Sequence, residues 1–146
     1  MYTVFPTGTT IYKPGKCYNG YTLFPSKKPG VGAVLVDMNG NVVRTWPEYM
    51  SFMINLMPGG TILGGQIGRV TKVYDHNWGA DDVVQQTWDG EVEWRFDKAE
   101  KIDLGDGLAW SARQNHDLVR EGCPVGYFVP GMMPKAEGGR TLMLSY

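Results

Sequence analysis

Only two histidines occur in this chain of 146 residues, and each is a candidate for imidazole chemistry. His116 lies in Arg113-Gln114-Asn115-His116-Asp117, at the start of an apolar strand pattern. A neutral imidazole there can act as nucleophile or general base. Asp117 is close enough in sequence to fix its tautomer, but successive strand residues point to opposite faces, so its expected role is structural. The plainer alternative for His116 is a half-buried polar side chain satisfied by hydrogen bonds. Asn115 can orient or bind a group, but an amide neither carries a covalent intermediate nor shuttles a proton at neutral pH. His76 lies in Tyr74-Asp75-His76-Asn77-Trp78-Gly79, a polar, aromatic stretch that reads as a loop. There His76 and Tyr74 would line a channel for an aromatic substrate, or belong to an ordinary surface loop. Arg69 and Arg113 both stand at expected strand ends. Their planar guanidinium forks suit a sulfonate or phosphate, and the alternative for each is a solvated ion pair. Trp110, beside the His116 segment, is expected either to pack or to face a ligand.

Metal chemistry finds less footing. Asp75, His76, Asp81 and Asp82 match neither a calcium loop nor a zinc signature. Cys17 and Cys123 are far apart and read as two inert thiols, with a disulfide as the alternative. No metal and no cofactor is expected.

The elements that position these residues are strands. Twenty glycines, nine prolines and 12% aromatic residues favour short strands and tight turns, an all-β protein. A repeat is visible at fifty residues, with Asp37-Met38-Asn39-Gly40-Asn41-Val42 echoed by Thr87-Trp88-Asp89-Gly90-Glu91-Val92. Asn-Gly and Asp-Gly are strong hairpin signals, read here as turns with positive φ at both central residues. Each hairpin is followed by another strand pair, giving four strands per unit, the design of a propeller blade. A β-sandwich or barrel is the alternative. The expected organisation is one propeller domain over 1–146, with a lead-in and first strand in 1–30 and blades over 31–80 and 81–146. The stretch 123–139 is an insertion in the second of these, rich in proline and apolar residues and suited to contact with a partner. Blades of about 40 to 50 residues put roughly three in this length, too few to close a ring. An incomplete propeller, completed by a second polypeptide that is either a cleaved remainder or a separate subunit, is therefore expected.

Thr7-Gly8-Thr9-Thr10-Ile11-Tyr12-Lys13-Pro14, followed by Gly20-Tyr21-Thr22-Leu23-Phe24, resembles the opening of arylsulfotransferase-like proteins. Val34-Leu35-Val36-Asp37 through Val42-Val43-Arg44-Thr45-Trp46 is similar to a strand pair of that family, Leu56-Met57-Pro58-Gly59-Gly60-Thr61-Ile62-Leu63 to one of its turns, and Asn115-His116-Asp117 to its His-His-Asp segment. The resemblance implies a six-bladed propeller that moves a sulfuryl group between phenols through a sulfated histidine. It implies His116 as acceptor, and the residues read above complete the expected site, with Arg113 and His76 assisting and Asn115, Arg69, Trp110 and Tyr74 binding substrate. Asn115 replaces the family's first histidine, which favours a diverted chemistry or its loss. The alternatives are a propeller lyase or hydrolase, metal-assisted or not, and a non-catalytic half-propeller that binds a protein.

Charge narrows the partners. With 14 basic and 15 acidic residues the net charge is −1, which gives no footprint for nucleic acid or an anionic membrane. No apolar run reaches the length of a membrane span, and Met1-Tyr2-Thr3-Val4-Phe5-Pro6 is no secretory signal. The expected location is cytoplasmic, or periplasmic or secreted if a signal has been removed.

Overall fold

The computed structural model describes residues 9–26, 28–51, 53–66, 81–103, 105–121 and 139–145. Arg69, Tyr74, His76, Cys123 and nearly all of the 123–139 insertion lie outside the described residues. The protein is all-β, and among the described residues no α-helix is present. Among the described residues eleven strands form four small antiparallel sheets. Strands β1 (Thr22–Pro25), β2 (Ala33–Val36) and β3 (Val42–Trp46) make a three-stranded sheet in that order. Strands β4 (Ile54–Leu56), β5 (Ile62–Gln66), β6 (Asp82–Gln86) and β7 (Val92–Phe96) make a four-stranded one. Two hairpins follow, β8 (Ala99–Asp103) with β9 (Leu108–Ala112), and β10 (Gln114–Arg120) with β11 (Thr141–Ser145).

The fifty-residue repeat is a repeat of hydrogen-bond register. Ala33 pairs with Trp46, Val34 with Thr45 and Leu35 with Arg44 in β2–β3; Val83 pairs with Phe96, Val84 with Arg95 and Gln85 with Trp94 in β6–β7. The irregularity falls at the same place in both copies, between Leu35 and Val36 and between Gln85 and Gln86. The turns match as well. Gly40 N donates to Asp37 O at 3.0 Å and Asp37 N to Asn41 O, while Gly90 N donates to Thr87 O at 3.1 Å and Thr87 N to Glu91 O. Gly40 and Gly90 have φ of 83° and 100°, whereas Asn39 and Asp89 are not left-handed. The turn is therefore a three-residue loop with one left-handed glycine, not the two-residue turn with two positive φ values that Asn-Gly and Asp-Gly suggest. The side chain at the first position explains the choice. Asp37 Oδ1 accepts from Asn39 N at 2.9 Å and Asn41 N at 2.8 Å, and Thr87 Oγ1 accepts from Glu91 N at 2.9 Å. These bonds close the loop one residue wider.

Register also aligns β1 with β5, at an offset of forty. Thr22, Leu23 and Phe24 pair with Val36, Leu35 and Val34 as Ile62, Leu63 and Gly64 pair with Gln86, Gln85 and Val84. Among the described residues β4 has no counterpart in the first sheet, so β1 is an edge there where β5 is internal. The four-stranded sheet takes β4 and β5 from before residue 67 and β6 and β7 from after residue 81. Each repeated hairpin closes a sheet instead of opening one.

Both faces of the four-stranded sheet are covered. On one side Ile62 and Val84 pack with Ala33, Leu35, Trp46 and Tyr49, all nearly or wholly out of solvent. On the other, Leu63 and Val83 pack with Met53, Met57 and Leu118, flanked by Trp94, Phe96 and Met143. Alternation along β5 and β6 sends neighbouring side chains into these two layers. Gly64 allows β4 to approach, because a Cβ there would lie 2.2 Å from the carbonyl oxygen of Met53. Tyr49 seals the first layer, its hydroxyl donating to Val84 O at 3.3 Å, and burial pushes that phenol well above the ordinary tyrosine range. Asp82, almost fully buried, is paired with Arg95 on β7.

Candidate functional site

β10 begins and ends as regular strand, because Gln114 and Leu118 face inward while Val119 faces out. Between them the pairing breaks. Gln114 and Asn115 pair with Ser145 and Leu144, and pairing resumes with Leu118 opposite Met143. His116 and Asp117 thus have no residue across from them, since Leu144 and Met143 are adjacent. They form a bulge of two residues, a device that bends a strand and re-aims its side chains. His116 has φ of 59°, and among the described residues it is the one non-glycine in the left-handed region. Holding a side chain there costs about 1 to 2 kcal/mol. Both His116 and Asp117 are exposed.

Asp117 is tied to the bulge, its Oδ1 accepting from Leu118 N at 2.8 Å. Leu118 is 3% exposed and anchored in the second core layer. The carboxylate therefore links the strained turn to a fixed point, the structural role its position in the strand suggested. Beside it a cavity of about 260 Å³ opens, lined by Asp117, Leu118, Val119, Leu142, Met143 and Leu144. Five apolar side chains and one carboxylate make a surface suited to a small apolar or aromatic body with a polar end. Nothing in the sequence marked this cavity, where Leu142 and Leu144 of β11 are 76% and 59% exposed.

The remaining predicted residues are distributed around the hairpins. Asn115 is in β10 opposite Leu144. Arg113 joins β9 to β10, its backbone N–H bonded to Lys98 O at 3.1 Å and its Nε 3.8 Å from a carboxylate oxygen of Glu100 on β8. That ion pair is the structural alternative foreseen for it. Trp110 lies on β9, 44% exposed, with the Lys101 ammonium 5.8 Å from its ring centroid. The cation that sequence reasoning missed is Arg120. It is 2% exposed, its guanidinium carbon 4.2 Å from the centroid of Trp94, and it donates to Thr141 Oγ1 at 2.6 Å. Burial lowers its pKa, and the nearby Glu93 carboxylate opposes that shift. The alternation Leu118, Val119, Arg120 was the available signal, since it turns Arg120 to the same side as Leu118.

Among the described residues no group of three or more His, Cys, Asp or Glu side chains is arranged to hold a metal ion. Likewise no helix among them is long and apolar enough to cross a membrane. No protein-family model, curated protein or solved structure matches this chain.

Proposed function

We propose that this chain is part of an arylsulfotransferase-like β-propeller, and that His116 accepts a sulfuryl group from a small aryl sulfate. The observation that carries the reading is the left-handed His116, exposed in a bulge beside an apolar cavity. Strain kept at a residue able to do chemistry is characteristic of functional sites. In the reaction a ring nitrogen of His116 bonds to sulfur as the S–O(aryl) bond breaks. The electron pair leaves on the phenolic oxygen, which takes a proton from water, and a second phenol later reverses the steps to carry the group away. The cavity would hold the aromatic ring. Arg113, together with Arg69 and His76 from outside the described residues, would bind sulfonate oxygens, and Asn115, Trp110 and Tyr74 would orient the substrate.

The propeller reading draws on the stacking of sheets. β1–β3, β4–β7 and β10–β11 follow one another face to face, and the repeated register gives successive sheets a common plan. Val119, Leu142 and Leu144 leave the outward face of β10–β11 apolar and exposed. A further sheet, from a second polypeptide in a six-bladed ring, would cover it. A second reading, a non-catalytic half-propeller, is favoured by one observation, the engagement of Arg113 with Glu100.

The native assembly, isolated with whatever chain accompanies it, separates the two. After incubation with an aryl sulfate, the catalytic reading expects one SO₃ group on the peptide containing His116 and release of the phenol, both lost in His116→Gln. Equal phenol release by wild type and His116→Gln would sink it.

A further inference from the structure

Where β3 meets the turn between β6 and β7, a positive charge is held against two indoles. The guanidinium carbon of Arg44 lies 4.8 Å from the ring centroid of Trp88 and 5.4 Å from that of Trp46. The two rings meet edge to face, 5.6 Å apart at 89°. Trp46 is buried in the first core layer, and Trp88 is about one-third exposed. Behind Trp88 lies Gly60 of the β4–β5 turn, where a Cβ would be in ordinary contact with the ring at 3.7 Å. The cation is thus fixed by two sheets, with few rotamers left to lose on binding.

What distinguishes Arg44 from the other described arginines is its lack of an anion. Arg95 pairs with Asp82, Arg113 with Glu100 and Arg140 with Glu121. Arg120 has Thr141 and the field of Glu93. No carboxylate or hydrogen-bond acceptor among the described residues engages Arg44. Its Nε and the Nε1 of Trp46 are both out of solvent and both without an acceptor. Among the described residues nothing compensates the charge, which leaves the terminal guanidinium nitrogens of a half-buried side chain open to solvent or a ligand.

We propose that Arg44, Trp46 and Trp88 form a binding site for a monocarboxylate with an apolar or aromatic body. The paired terminal N–H groups present a planar fork that matches the two oxygens of a carboxylate. The exposed part of Trp88 offers an apolar wall for the body attached to it. A single cation, with the exposed Asp89 and Glu91 following Trp88 in the chain, favours one negative charge over two. This site is independent of the reading of His116, which lies on another sheet.

The test is a titration of the full chain with benzoate, with its neutral isostere benzamide and with inorganic phosphate, followed by the indole N–H signals in a ¹H–¹⁵N spectrum. The proposal expects benzoate to shift the Trp46 and Trp88 signals saturably, with benzamide and phosphate at least about tenfold weaker. Added salt should weaken benzoate and leave benzamide unchanged. Arg44→Gln should weaken benzoate about tenfold, with Arg44→Lys between. Benzamide binding as well as benzoate, phosphate binding better, or no saturable shift at either indole would each overturn the proposal, and these readings need only the wild-type chain. Unchanged benzoate affinity in a folded Arg44→Gln chain would do the same.

Discussion

The four-stranded sheet and the β10–β11 hairpin are built from the same kind of strand, yet they follow the rules of strands to different degrees. In the first, Ile62 and Leu63 of β5 and Val83 and Val84 of β6 are shut into two core layers, and the register of β6–β7 reproduces that of β2–β3 pair by pair. In the second, one face is buried and the other carries exposed Val119, Leu142 and Leu144. Its ladder is broken at the one non-glycine left-handed residue described, His116. Regularity marks the part that holds the molecule together, and the departure from it falls at the histidine proposed above to accept a sulfuryl group.

The largest expected effect lies in the regular sheet. Gly64→Ala places a Cβ 2.2 Å from Met53 O, a backbone atom that cannot move without parting β4 from β5. Its cost should exceed about 3 kcal/mol in urea unfolding. Leu142→Ala, on the exposed face of β11, should stay within about 0.5 kcal/mol. Equal losses would mean that the contrast between the two regions has no energetic content. A smaller effect, of opposite sign, is expected at the bulge. His116→Gly removes a left-handed side chain and should raise stability by up to about 1 kcal/mol. A loss on that substitution would show the imidazole to be part of the packing. The smallest concerns the two matching turns. Hydrogen bonds from Asn41 and Asn39 hold the Asp37 carboxyl below its usual pKa, and Thr87 takes its place in the other copy. A lowered carboxyl pKa contributes stability above the unfolded value, about 3.9, and that contribution is lost as pH falls through the folded one. Amide exchange at Asn41 should therefore quicken relative to Glu91 on acidification below pH ~4, once intrinsic rates are removed.

Much of the scaffold was legible in the residues. Strand, turn and strand around Gly40 and Gly90 follow from glycine at the left-handed position and β-branched or aromatic residues beyond it. What a period cannot carry is its phase. Spacing of fifty says that hairpins recur, and only the pairing of β5 with β6 says that each one closes a sheet. The site was legible as far as His116, through its side-chain chemistry. Its bulge was not, because the two bulged residues are set by where β11 lies, and β11 is twenty residues further along the chain. The ion partner of Arg113 was hidden for a similar reason, since Glu100 reaches it only through the β8–β9 hairpin.

The edge formed by β1 bears on how this chain behaves when crowded. Gly65, the counterpart of Pro25 in the aligned register, donates its N–H to Met53 O at 2.9 Å. Proline has no such hydrogen, so a strand laid along β1 can bond beside Leu23 but finds no donor at Pro25. Strand addition at this edge should therefore stop after about one residue pair, which would make Pro25 a safeguard against aggregation although it is exposed and lies outside the core.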